Sequence, residues 1–131
     1  MVQSKSYLIC TDKTSVVGVM CIKVVGPYKK KIANLGELLI VCVHKVNLKR
    51  YVNLKARFQK RFRIGALHRA LLIRSKVNFS RARGAYIKFN QNNCIIVGKN
   101  FVPLSNKVFG PVLREFCIKW PSLGCAATCI I

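Results

Sequence analysis

Carboxylates are nearly missing from this chain: Asp12, Glu37 and Glu115 are its only acids in 131 residues. Chemistry that needs paired carboxylates, as acid and base or as metal ligands, has almost nothing to work with. Each acid also has a structural role within reach. Asp12 in TDKTS can accept from backbone amides in an Asx turn, Glu37 follows Gly36 at a turn, and Glu115 lies beside Arg114 in a short helix. Histidine is as scarce. His44 and His68 fall at strand-like positions with no partner acid or nucleophile near them in sequence, and they read as ordinary structural or partner-facing residues. Phosphate-cradling, metalloprotease and nucleophile-elbow motifs are absent. The expectation is a protein that is not an enzyme and uses no cofactor and no metal.

Long apolar runs are missing too. The longest is LLIVCV at 38–43, whereas a spanning helix needs roughly 18 or more apolar residues. The opening MVQSKSYLIC has no basic region, apolar core and small-residue cleavage site in series, so it reads as the start of the folded domain. A soluble or peripheral protein with no membrane partner is expected. None of the seven cysteines lies in a C-x-x-C pair. Cys10, Cys21, Cys42 and Cys94 sit in apolar stretches and read as buried free thiols of a reducing compartment. The spacing of Cys117, Cys125 and Cys129 matches no zinc finger or ribbon.

What is abundant is positive charge. Lys and Arg number 24, for a formal net charge of +21 and a sequence pI of about 10.3. A hydrophobic content of 52% with mean hydropathy +0.28 excludes a charge-driven disordered chain. The length suits a single domain, 1–131, with one core. Self-repulsion on this scale destabilises a compact state unless a polyanion neutralises it. Nucleic acid is the first candidate, because each phosphate neutralised by Lys or Arg releases condensed counterions. An anionic membrane surface is the second.

Strand-length apolar stretches recur along the chain: SYLIC (6–10), VVGVMCIKVV (16–25), ELLIVCVHKV (37–46), RALLIRSKV (69–77), GAYIKF (84–89) and NCIIVG (93–98). Turn-forming clusters separate them and no helical crossover intervenes, which predicts an all-β small barrel or sandwich. In PVLREF (111–116), Pro111 suits the first turn of a short helix and Pro121 lies past its end. The basic stretch NLKRYVNLKARFQKRFR (47–63) holds seven Lys or Arg and no acid. Its Leu48, Tyr51, Leu54, Phe58 and Phe62 recur at helical steps, with an elongated hairpin as the competing reading.

The basic clusters are the candidate site. They comprise Lys49, Arg50, Lys55, Arg57, Lys60, Arg61 and Arg63 in the arm, Lys29, Lys30 and Lys31 in one loop, and Arg81 and Arg83 before Gly84 in another. Arg74 and Lys76 in RALLIRSKV complete the set. With no acids to compensate them, they favour phosphate binding over a passive solvated face. Arg offers planar bidentate donors, and the arm aromatics can either stack on unpaired bases or pack the arm down.

Four blocks in order, MVQSKSYLICTDKTSVVGVMCIKVVG (1–26), LGELLIV (35–41), YIKFNQNNCIIV (86–97) and NKVFGPVLRE (106–115), resemble the universal family of large-subunit ribosomal protein fourteen. That resemblance implies a small closed five-stranded barrel with a short C-terminal helical segment and no catalysis. It implies binding to large-subunit rRNA among neighbouring large-subunit proteins. It also implies a place on the face toward the small subunit, with intersubunit bridges to small-subunit rRNA. Near the FGPV segment the family receives a ribosome-silencing factor. Carried onto this chain by the resemblance, that surface would involve Asn106, Lys107, Phe109 and Arg114.

The sequence departs from the family at KTSV (13–16), where an Asn-Ser-Gly-Ala turn is usual, and at Ala66 after Gly65, where an acid is usual. The arm at about 47–63 reads as a family loop enlarged by about ten residues. Ordering a backbone costs about 1–2 kcal/mol per residue, so the arm is expected to order only on assembly. Because the start coincides with the family's start, no targeting extension is expected. With the eroded motifs, the many cysteines and the few acids, this points to a mitochondrial, organelle-encoded copy rather than a plastid or bacterial-cytoplasmic one. The alternative function is a free-standing basic nucleic-acid-binding protein outside the ribosome.

Overall fold

A computed structural model describes residues 2–131. In chain order its strands are β1 (Val2–Gln3), β2 (Tyr7–Cys10), β3 (Val16–Val24), β4 (Ile32–Ala33), β5 (Leu38–Val46), β6 (Leu67–Arg74), β7 (Phe79–Ser80), β8 (Tyr86–Ile87), β9 (Asn93–Val97), β10 (Val108–Val112) and β11 (Ala127–Ile130). Its helices are α1 (Leu48–Val52), α2 (Ala56–Arg61), α3 (Arg114–Lys119) and α4 (Pro121–Ala126). Strands β2, β3, β5, β6 and β9 close into a five-stranded barrel, as the family resemblance implied. All pairings around it are antiparallel except the seal, where Ile9 and Cys10 of β2 lie parallel to Asn93 and Cys94 of β9.

Two cores explain two kinds of hydrophobic pattern. Side chains including Leu8, Val19, Cys21, Leu39, Val41, Val43, Ala70, Leu72, Cys94 and Ile96 fill the barrel. Leu71, Ile73, Ile95 and Val97 point the other way, into a second cluster with Val108, Val112, Leu113, Phe116 and Leu123. Strands β6 and β9 are thus covered on both faces, and they read as the near-continuous runs ALLI and NCIIV. Strand β5 buries one face at its centre, and Leu39, Val41 and Val43 alternate with less buried neighbours.

Asp12 ties the barrel's seal together. Its buried carboxylate accepts from Ile96 N at 3.0 Å, Thr14 N at 3.2 Å, the Thr14 hydroxyl and the Cys10 thiol. The Asx turn expected at TDKTS is present, with a long-range bond added to it.

Three expectations need correction. Pro111 does not open a helix: it lies in β10, which runs parallel to β11 with a register shift between Val108 and Pro111. This is an edge position where the missing N–H costs little. The helix begins three residues later at Arg114 and ends at Lys119, so Pro121 does lie just past its end, where it also opens α4. Cys42, expected buried, is only half-buried, whereas Cys10, Cys21 and Cys94 are buried free thiols. Of GAYIKF, only Tyr86–Ile87 forms a strand, paired with β7.

Candidate nucleic-acid interface

The arm between β5 and β6 is helical, in two short pieces rather than one stripe or a hairpin. Asn47 caps α1, accepting from Arg50 N at 3.5 Å. The pieces are clasped by reciprocal bonds: Tyr51 OH donates to Gln59 O at 2.9 Å, and Gln59 Nε2 donates to Tyr51 O at 3.2 Å and Val52 O at 3.1 Å. Basic residues occupy the last turns, where they suit the negative helix ends.

The aromatics of the arm divide between packing and exposure. Phe62 is buried in the barrel core and meets the His68 ring at 5.4 Å between centroids. Phe58 stays exposed, as do all seven arm cations, Lys49, Arg50, Lys55, Arg57, Lys60, Arg61 and Arg63. The far edge of His68 fixes the end of α2 through its Nε2, 2.9 Å from Arg61 O. Burial pushes the His68 imidazole below its ordinary value, with the Arg61 carbonyl pulling upward and the Arg61 charge downward.

The arm also meets the FGPV segment. The Arg50 guanidinium lies over the Phe109 ring, 5.8 Å from its centroid. From the other side, Arg74 Nη2 donates to the Phe109 carbonyl. Gly110 has φ +81°, and a Cβ there would stand 2.7 Å from Arg74 Nη1, so glycine makes room for the guanidinium. Desolvation lowers the Arg74 pKa. The segment is further held by Phe109 N donating to Thr11 O at 2.8 Å and Thr128 Oγ1 donating to Val108 O at 3.0 Å. Asn106, Lys107, Phe109 and Arg114 are exposed along it.

The remaining clusters separate into free and engaged cations. Lys29, Lys31, Lys76 and Arg83 are exposed. Lys30 pairs with Glu37, whose other oxygen accepts from Asn34 N at 3.0 Å. Arg81 and Arg83 lie in the β7–β8 hairpin, which Gly84 turns at φ +77°. Arg81 pairs with Glu115 at 2.7 Å and donates to Ile131 O at 2.7 Å. All three acids are therefore occupied, and among the described residues Lys30 and Arg81 are the side-chain cations with a carboxylate partner. Sequence reasoning grouped Arg74 and Arg81 with the solvent-facing cations. Their structural engagements depend on Phe109 and Glu115, each more than thirty residues away, which no local pattern reveals. It also passed over isolated cations such as Lys119, 4.8 Å from the Trp120 ring, because they form no run.

No group of three or more His, Cys, Asp or Glu side chains that could hold a metal comes together among the described residues. No helix among them is long and apolar enough to cross a membrane. Barrel and surface together define a class: a small closed β-barrel that presents cationic arms and loops. The sequence model of the family described as Ribosomal protein L14p/L23e matches residues 1–131, and the chain belongs to that family of large-subunit ribosomal proteins.

Proposed function

We propose that the chain binds large-subunit rRNA through its exposed arm together with Lys29, Lys31, Lys76 and Arg83. In this reading Lys30, Arg74 and Arg81 position the loops and the FGPV segment that flank the RNA. The observation that carries it is the unbalanced charge. A net +21 remains while every carboxylate is already engaged inside the fold, so neutralisation has to come from outside. The surface of Asn106, Lys107, Phe109 and Arg114 faces the small subunit, contributes to bridges with its rRNA and offers the docking place for a silencing factor. Neighbouring large-subunit proteins border the rest. The compartment is mitochondrial, a reading supported by seven free cysteines, the eroded KTSV turn and the scarcity of acids.

Gradient sedimentation of a mitochondrial extract tests this. The protein should travel with the large subunit and leave it at high salt. Recovery mainly in a ribosome-free pool would favour the free-standing RNA-binding alternative. Substituting Phe109 and Lys107 should impair subunit joining but leave rRNA association intact.

A further inference from the structure

On the barrel's outer face, the row Ile9, Gly18, Lys45 runs across β2, β3 and β5. Ile9 and Lys45 are exposed, and the glycine between them leaves a hollow where a side chain would stand. The register of β3 is irregular on both sides of Gly18. The resulting groove has a volume of about 490 Å³, within the roughly 300–1,000 Å³ common for small-molecule sites.

Two aromatic rings, aliphatic residues including Ile9 and Val17, and amides line this groove, and no carboxylate does. Tyr7 is 56% exposed. Its ring stands at 86° to that of His44, with centroids 4.9 Å apart, so the two make adjacent walls of a corner. Lys45 and Lys76 supply positive charge at the rim, and Gln91 and Asn92 supply amides. Asn92 Oδ1 already accepts from Lys76 N at 2.9 Å, which leaves the Asn92 amide N–H groups as donors.

We propose that this groove is a nucleotide subsite. It takes one unpaired RNA base stacked on Tyr7 beside His44, with the adjoining phosphates on Lys45 and Lys76. A flat aromatic surface, amide groups for a base edge and cations for the backbone are the combination by which proteins hold single-stranded RNA. A protein segment with apolar side chains would fill the hollow equally well, but it would gain nothing from two lysines without an acid nearby. The proposal rests on the rRNA-binding reading and adds base-dependent recognition to its phosphate binding.

The test compares full-length protein binding to poly(U) and to an abasic oligomer of equal length and charge. The native chain should bind poly(U) more tightly. Tyr7→Leu should weaken poly(U) binding about tenfold, leaving abasic binding and the salt slope unchanged, whereas Tyr7→Phe should retain the native preference. Gly18→Leu fills the hollow from another strand and should have the same effect. Its added Cβ would meet Lys45 Cβ at an ordinary 3.4 Å, so the variant should fold. Equal binding of the two oligomers, or equal loss for both in Tyr7→Leu, would overturn the subsite but leave phosphate binding standing. Failure to bind either oligomer at low salt would overturn the rRNA-binding reading as well. In native large subunits, ultraviolet crosslinking should join a nucleotide to the peptide containing Tyr7. A crosslink there to a neighbouring protein, with RNA crosslinks confined to the arm, would also overturn the subsite.

Discussion

Arg74 holds Phe109 by its backbone: the guanidinium donates to the Phe109 carbonyl and occupies the space left by the missing side chain of Gly110. The side chain of Phe109 is thereby left exposed on the surface, where Arg50 of the arm covers one part of it. A cation at the end of a barrel strand thus acts as a bracket for the FGPV segment.

Gly110→Ala places a Cβ at φ +81° and against Arg74, and should destabilise the fold by at least about 1–2 kcal/mol from the left-handed backbone alone. Combining it with Arg74→Ala relieves the clash but not the backbone strain. The double variant should therefore lose less stability than the two single losses added together, in a urea-denaturation cycle.

Arm cations and engaged cations should differ in their salt signatures. Lys55→Ala with Arg57→Ala removes two exposed charges. It should reduce the slope of log affinity against log salt by about 0.7–0.9 for each phosphate that is no longer neutralised. Lys30→Ala removes a charge already paired with Glu37 and should change the slope less. Titration of large-subunit rRNA fragments at several salt concentrations checks both.

Acid should loosen the base of the arm. Burial lowers the His68 pKa below the ordinary 6.5, so the unfolded chain takes up the proton more readily than the folded one. Its contribution is complete above about pH 6.5 and is lost as pH falls through the lowered value. Hydrogen exchange at 58–62, corrected for intrinsic rates, should accelerate as pH falls below about 6.5. A His68→Gln variant should show a flat profile over that range.

Asp12→Ala should be costly although Asp12 lies far from the cationic arm in sequence. It orphans the buried amides of Thr14 and Ile96, at about 1–3 kcal/mol each. The urea midpoint should fall with an unchanged m value, provided the barrel remains the only cooperative unit.

The strands were legible because the barrel follows simple periods. VMCIKV and LLIVCV largely alternate, and ALLI and CIIV run continuously where the C-terminal elements cover the second face. The C-terminal end was less legible. VFGPV and ATCI form a parallel pair whose register is set by long-range bonds such as Thr128 to Val108, and Pro111 signals a helix start by local rule. The arm's helicity was visible in its spacing. The break at 53–55 was not, because it depends on Tyr51 and Gln59 bonding back across the two helices. Among the basic residues, runs identified exposed cations well. They could not separate Arg83 from its neighbour Arg81, since Glu115 comes from a distant helix.

The parallel seal of β2 against β9 sets an order of events during synthesis. Asp12 and Ile96, which meet across that seal, lie 84 residues apart. A chain emerging from its N-terminus holds an open sheet until β9 arrives, with the free edge of β2 waiting and the polycationic arm already outside. Non-local closure of this kind is slow, and an unpaired edge invites a strand from another molecule. The interval before sealing is therefore when a nascent copy is most vulnerable to mispairing.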